Sequence, residues 1–424
     1  MTTNYKNNRG GSVMDRFAKR GVSAFALLAA TVIGLAGPAS AQEPIRIGYA
    51  ADMSGACGPL VDGATKAFRL GVEELNKAGG LLGRKIEVIE RDTKTRPDEG
   101  AKEARDLIVN HKIDLLTGVC SSAVMLAETA VSAELKVPFY SAIGNTQAVN
   151  VDKFQPYFWQ TQANVLMEAS GAAEYVAQNK AWKKIVPLAF DYEFGHTSVK
   201  TFSEHLKKIR PDIEIAAPIY VKLGESNMTS YITAVLAQKP DAVYGPLFGS
   251  GLVNFVKQGR SFGFFDQTNL ITLTTVDFLQ SMGKEMPPKG VVGFARAPFT
   301  ALLNNPKAKT FVDAYKTKYN IEPSDWAVLT YDGLMFYAEA VKKAGSVKAD
   351  DVIKAVTSIK YSGLRGSDMS VRAFDGQMNA PIWVGAVAPD PAYPYSILKD
   401  VTRIEASKTM PSEEQVKALR AAAK

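Results

Sequence analysis

The chain is poor in the residues that most chemistry uses. Among 424 residues there are two cysteines and three histidines, and His111, His196 and His205 fall at no metal-ligand spacing. No Gly-x-Ser-x-Gly elbow occurs. The loop after the first apolar strand, residues 48–58, lacks the Gly-x-Gly-x-x-Gly fingerprint of a dinucleotide site. Asp92, at a strand end, has no carboxylate partner at a telling spacing. The sequence therefore predicts a protein that is not an enzyme and that needs neither cofactor nor metal. Charge of one sign is also scarce. The formal net charge is +7, and removing residues 1–41 takes away five Lys/Arg and one Asp, leaving +3 over 383 residues. The pairs Lys183-Lys184, Lys207-Lys208 and Lys342-Lys343 sit at helix edges, so no basic stripe for nucleic acid is expected.

After residue 41 no stretch approaches the roughly 18 apolar residues of a membrane-spanning helix. Before it, Arg16, Lys19 and Arg20 precede an apolar run from Val22 to Leu35, Pro38 breaks any helix, and Ala39-Ser40-Ala41 supplies the small residues a signal peptidase needs. This pattern predicts export with cleavage before Gln42, and a soluble mature protein. Met14 is a second sensible start, since it leaves a signal of ordinary length.

What the chain does contain is a regular alternation. Apolar strands at Ile45–Ala50, Lys85–Glu90 and Ile113–Val119 are separated by helical patterns, Ala64, Ala67, Phe68, Gly71, Val72, Leu75 and then Ala101, Ala104, Leu107, Ile108. Strands alternating with helices predict a doubly wound parallel sheet, which binds ligands beyond the carboxyl ends of its strands. After an extended stretch at Tyr157–Thr161 the pattern repeats. Strands are predicted at 185–190, 213–220, 241–247, 270–274 and 291–295, with helices at 197–209, 228–238 and 252–262. Pro187 lies inside the first of these strands, where it removes a ladder donor, so an edge position or a bulge is expected there. Helices follow at 308–319, 327–340 and 349–358, then a strand at 382–387, a surface loop marked by Pro389, Pro391 and Pro394, and a loosely docked terminal helix.

Several motifs add up. Met53-Ser54-Gly55, Asn76-Lys77-Ala78-Gly79-Gly80-Leu81-Leu82-Gly83-Arg84-Lys85, Gly118-Val119-Cys120-Ser121-Ser122, Asp191-Tyr192-Glu193-Phe194-Gly195 and Tyr331-Asp332-Gly333 occur in this order. Together they resemble the leucine/isoleucine/valine-binding family of periplasmic solute receptors for ABC importers, over essentially the whole mature chain. The resemblance implies an α/β protein of two doubly wound, Rossmann-like lobes joined by a three-segment hinge. It also implies crossings near Gln160, Arg296 and Val371. Lobe 1 is then expected at 42–160 and 296–370, lobe 2 at 161–295 and 371–395, and a C-terminal extension at 396–424. The implied role is a monomeric periplasmic receptor that captures a small carboxylate-bearing ligand and delivers it to a membrane permease; a sensor of the same fold without transport is the alternative.

The same resemblance carries ligand contacts onto particular residues. Ser121 and Ser122 stand where a strand feeds a helix, so each either caps that helix or helps hold a ligand carboxylate with the free backbone N–H groups. By analogy the loop after the next strand completes the pocket through backbone at Ala142 and Gly144 and side chains of Asn145 or Thr146. Asn145 stands where the family commonly has Thr. Phe194 and Phe248 fall where the family places aromatics on the second lobe, or else they are core. An ammonium group would need an anion, and Asp277 or Asp191 either supplies it or caps a helix. The branched-chain branch has a glutamate in this region that the run Thr272-Leu273-Thr274-Thr275-Val276-Asp277 lacks, which keeps an aromatic acid open beside an amino acid. Finally, Cys57 follows the first strand and Cys120 the third, neighbours in a sheet ordered 2-1-3, so an exported chain is predicted to join them.

Overall fold

The computed structural model describes residues 43–55 and 57–423; the predicted export signal and its cleavage point lie outside them. No helix among the described residues is long and apolar enough to cross a membrane. The first sheet contains β1 (Ile45–Ala51), β2 (Ile86–Asp92), β3 (Leu115–Thr117), β4 (Phe139–Ser141) and β5 (Phe158–Gln160), all parallel, in the order β2-β1-β3-β4-β5. Helices α1 (Gly58–Lys77), α2 (Pro97–Val109) and α3 (Ser122–Leu135) connect its strands. The inner strand β1 is buried almost throughout because helices cover both faces of a parallel sheet. The order reverses between β1 and β3, and beyond the carboxyl ends of strands at such a switch point open parallel sheets bind small molecules.

The chain leaves the first sheet after Gln160 and builds a second from β6 (Lys184–Phe190), β7 (Glu214–Ile215), β8 (Ile219–Val221), β9 (Ala242–Tyr244), β10 (Asn269–Leu273) and β11 (Val291–Ala295). Helices α4 (Val165–Gln178), α5 (Glu193–Ile209), α6 (Thr229–Ala237), α7 (Gly249–Ser261), α8 (Phe264–Gln267) and α9 (Val276–Met282) alternate with them. Past β11 come α10 (Phe299–Leu302), α11 (Pro306–Tyr319), α12 (Asp325–Ala344) and α13 (Ala349–Val356). Helix α12 lies against α1 so closely that a Cβ on Gly71 would stand 2.9 Å from Leu334, which returns this segment to the first lobe. A hairpin of β12 (Tyr361–Gly363) and β13 (Gly366–Met369) follows, and the chain crosses again past an isolated parallel bridge between Gln160 and Gln377. It then adds antiparallel β14 (Ile382–Ala388) and β15 (Ile397–Ile404) to the second sheet, whose order is β15-β14-β11-β10-β9-β6-β7. Two α/β lobes are thus tied by three strands of chain.

Three features differ from the sequence reading, each for a local reason. Pro187 is not on an edge strand, because β6 lies between β9 and the β7/β8 pair. The irregularity sits in the partner instead. Strand β7 pairs with Lys184 and Ile185, β8 resumes opposite Leu188, and the chain between them, ending in Pro218, leaves the ladder at the level where Pro187 has no N–H to offer. Residues from 396 onward, read as an extension, supply β15; its charged Lys399, Asp400 and Arg403 mark an edge strand and hide the apolar alternation. The last helix, α15 (Glu413–Ala422), preceded by the short α14 (Ala406–Thr409), is fastened instead of loose. A capping box joins Ser412 and Gln415, Val416 is buried, and Arg420 donates to the carbonyls of Asn150 and Val151 at 2.9 Å and of Phe374 at 2.7 Å.

The Tyr-Asp-Gly motif is structural. Asp332 is fully buried, its Oδ1 accepting from the Tyr361 hydroxyl (2.9 Å) and the Leu364 amide (2.8 Å) while Oδ2 takes Arg365 Nε (2.8 Å), so α12 holds the hairpin through one carboxylate. Removing one member of a buried ion pair leaves the other uncompensated, typically at about 3–5 kcal/mol. Asp332→Ala is therefore expected to lower unfolding free energy by roughly that amount, measured by urea denaturation followed by circular dichroism; a loss near zero would contradict the assignment.

Candidate functional site

Strand β1 delivers Asp52 to the carboxyl end of the first sheet, where its side chain is completely buried. Its carboxylate accepts from the backbone amides of Cys120 (2.6 Å) and Ser121 (2.9 Å) and from the Thr93 hydroxyl (2.6 Å). Gly118 makes the turn out of β3 with φ +118°, and a Cβ there would stand 2.9 Å from the Ala50 carbonyl oxygen, so only glycine lets the two strand ends converge. A disulfide between Cys57 and Cys120 fastens the same two loops. Ser121 is the N-cap of α3, its Oγ accepting from the Val124 amide at 3.5 Å.

The amides of Cys120 and Ser121 are held by the protein's own carboxylate at Asp52. What remains at the start of α3 are the amides of Ser122 and Ala123, which precede the first intrahelical bond, and the hydroxyls of the half-buried Ser121 and Ser122. Ser121 is a cap by its oxygen lone pair, and its hydroxyl proton stays available to donate. Within α3 itself Glu128 is wholly buried with neither carboxylate oxygen hydrogen-bonded; burial, and then the charge of Asp52, push it well above the ordinary carboxylate range.

The loop after β4 is braced from the crossings. Gly144 donates its amide to the Val119 carbonyl (3.3 Å), and its carbonyl accepts from Gln162 Nε2 (2.5 Å), Ser141 Oγ (3.3 Å) and Gln160 Nε2 (3.4 Å). Both the amide and the carbonyl of Gly144, whose backbone was expected to line the pocket, are thus engaged within the protein. The Ile143 carbonyl takes Arg296 Nη1 at 2.9 Å. Arg296 is ion-paired with Glu168 of α4, both nearly inaccessible, and lies 4.9 Å from the centre of the Trp326 ring. Asn145 spends its amide nitrogen on Glu168 Oε2 (2.5 Å), and its Oδ1 is buried and unpaired. Thr146 accepts from the Ala148 amide at 3.1 Å, and Ala142 is buried beside it.

On the second lobe Phe194 and Phe248 do come together. Their rings are 6.1 Å apart and nearly perpendicular, with Tyr192 at 6.0 Å from the first and 6.3 Å from the second, and Phe190 5.2 Å behind Phe248. Phe194 is mostly buried and Phe248 half-buried, at the starts of α5 and α7, where the ends of β6 and β9 deliver them. Asp191 is not gathered with these residues: it is exposed and paired with His196 at 2.8 Å. Nor does it cap α5, whose N-cap is Tyr192. Asp277 is no cap either, since Thr275 Oγ1 takes that role for α9. Asp277 is instead mostly buried with Oδ2 unpaired, and burial, together with the nearby charge of Asp325, pushes it up to about 7.

With this geometry in place, likeness to known proteins is informative. A family model described as periplasmic binding protein matches residues 44–391. The chain belongs to the periplasmic binding protein family. Among curated relatives, the Leu/Ile/Val-binding protein homolog 7 of Brucella abortus is 25% identical over 352 residues, covering 78% of this chain and 86% of the relative. Two solved structures share the fold. One is a solute-binding protein of an ABC transporter from Rhodopseudomonas palustris in complex with 3,4-dihydroxybenzoic acid, with TM-score 0.74, 24% identity and coverage of 86% of this chain and 98% of that one. The other is a branched-chain amino acid transporter substrate-binding protein from Streptococcus pneumoniae in complex with isoleucine, with TM-score 0.74, 23% identity and coverage of 85% and 99%.

In this periplasmic binding protein the sequence reading missed Asp52, Tyr192, Glu168, Arg296 and Asp325 as parts of the site region. Asp52 was legible in principle, as a lone acid directly after a buried strand. The Arg296–Glu168 pair was not, because 128 residues separate its members. Asp52→Ala strands two amides in a part-buried turn, and leaving a buried donor unsatisfied costs about 1–3 kcal/mol. A loss of roughly 2–5 kcal/mol in chemical denaturation is expected, and Asp52→Asn, which keeps one acceptor oxygen, is expected to lose less.

Proposed function

We propose that the mature chain is exported to the periplasm and captures a small carboxylate-bearing ligand, an amino acid or an aromatic acid, between its lobes. It then delivers that ligand to the permease of an ABC importer. The observation that carries this reading is the start of α3. Two amides and two hydroxyls, Ser121 to Ala123, converge at the carboxyl end of a parallel sheet, the position at which such sheets bind small molecules. Asp52 refines the picture. It fixes the turn that presents Ser121 and leaves the anion to be held by the first turn of the helix and the serine hydroxyls, with the Thr146 hydroxyl on the neighbouring loop, while Asn145 Oδ1, an acceptor, suits the ammonium of an amino acid. The aromatic group at Tyr192, Phe194 and Phe248 supplies the apolar wall, and phenylalanine in two of the three places favours an apolar side chain or ring over a polyhydroxyl ligand.

The ligands of the two solved relatives, isoleucine and 3,4-dihydroxybenzoic acid, differ in everything except a carboxylate, which supports the anion as the common handle. Charge-assisted hydrogen bonds contribute roughly 1.5–3 kcal/mol each, and micromolar affinity needs about 8 kcal/mol, so two or three such bonds and one buried apolar group suffice. The protein acts as a monomer by binding alone, without catalysis.

The test is a thermal-shift screen of the mature protein against isoleucine, leucine, benzoate and 3,4-dihydroxybenzoate, each paired with its neutral amide. A ligand that binds only the folded state raises the melting temperature. At least one acid is expected to do so while its amide does not, and Ser121→Ala is expected to abolish most of the shift while changing unliganded stability by no more than about 1 kcal/mol. A full shift in the variant would remove Ser121 from the site, and equal shifts with acid and amide would remove the anion.

A further inference from the structure

We infer that the C-terminal segment is a strap laid over the crossings, anchored on the second lobe by α14 and clipped to the first lobe by Arg420, and that it limits how far the lobes part. This goes beyond the ligand assignment and does not depend on it.

Both ends of the strap are fixed by contacts in the structure. After β15, the outermost strand of the second sheet, α14 buries Ala406 and Thr409 and packs on α4, so closely that a Cβ on Gly171 would stand 3.5 Å from Thr409. The other end is Arg420 of α15. Its Nε donates to the Val151 carbonyl and its Nη2 to the Asn150 carbonyl, both at 2.9 Å, and the guanidinium carbon lies 4.8 Å from the centre of the Phe154 ring. These three residues stand between β4 and β5, so they belong to the first lobe.

The third crossing is gripped between the two anchors. Arg420 Nη2 also donates to the Phe374 carbonyl at 2.7 Å, and Arg372 Nη1 donates to the Pro411 carbonyl at 2.7 Å, at the root of the strap. Asn150 Nδ2 reaches the Asp375 carbonyl at 2.8 Å from the first lobe. A turn of the first lobe, the third crossing and a chain rooted in the second lobe thus meet at one guanidinium. Its bonds carry charge, which makes them stronger than neutral ones, and all go to main-chain carbonyls, which the turn and the crossing hold in place.

Helix α15 has little else to hold it down. Of its ten residues only Val416 is buried, and a helix so short is marginal in isolation. Its docking therefore rests mainly on Arg420, and a link through one side chain releases and re-forms readily. The three crossings are covalent and survive any rotation of the lobes. The strap is not covalent, so a rotation that draws residues 150–151 away from α14 must break it, and the intact strap resists that rotation.

Double electron–electron resonance on the ligand-free mature protein reads the separation directly, with nitroxides on Lys102→Cys in α2 and Ala234→Cys in α6. Both positions are exposed, and the two native cysteines are joined to each other. Without further change the distance distribution between the lobes is expected to be narrow, and adding Arg420→Ala is expected to broaden it and move population to longer distances. An unchanged distribution, or a move to shorter distances, overturns the strap even where the melting temperature falls. Should Arg420→Ala fail to fold by circular dichroism, hydrogen exchange of the wild type decides. The amides of α15 are expected to be protected, and exchange as fast as in unstructured chain overturns the proposal.

Discussion

The buried pair of Arg296 and Glu168 is the constraint on which the rest of the site depends. Arg296 leaves β11 at the second crossing, Glu168 sits in the first turn of α4 after the first crossing, and between them they hold the Ile143 carbonyl and the Asn145 amide of the first lobe. An ion pair this deep is retained only where its remaining donors and acceptors are also satisfied. The satisfaction here comes from the loop that borders the candidate pocket. Stability of the crossing and shape of the site are therefore one arrangement of atoms.

Around that pair the crossings are polar. Gln160, Gln162 and Gln377 lie buried where the chain passes between sheets, Gln162 reaching the Gly144 carbonyl and Gln377 reaching the Gln162 carbonyl at 2.7 Å. Hydrogen bonds of this kind break and re-form over small displacements, unlike close-packed apolar contacts, which resist any. Hinge closure around a ligand needs such joints between rigid lobes. The C-terminal helix belongs to the same system, since Arg420 fastens it both to the turn at 150–151 and to Phe374 on the third crossing.

Charge is arranged with equal economy. Asp52 is fully compensated by two amides and a hydroxyl, Glu128 is held without partners, and Asp277 and Asp325 each keep one buried oxygen unpaired. Burial raises the last three because a carboxylate deprived of water and given few or no donors is better off protonated. The same residue type is thus a fixed anion at one place and is pushed toward its neutral form at another, according to the donors supplied to it.

The residues by themselves determined the α/β class, the positions of nearly all the strands and helices, and the small hydroxyl group that starts α3. These follow from local rules: runs of Ile, Val and Leu make buried strands, helical spacing makes their covers, and glycines such as Gly118 permit turns that a side chain forbids. Tertiary structure alone decided which groups at the site are free. Whether the amides after β3 await a ligand depends on Asp52, 68 residues away, and whether Asn145 is available depends on Glu168. Asp191 and Asp277 look alike in sequence, one exposed beside a histidine and the other mostly buried with an oxygen left unpaired. Hydrogen-bond donors are consumed by whichever acceptor the fold brings near, and that proximity has no local signature in the chain.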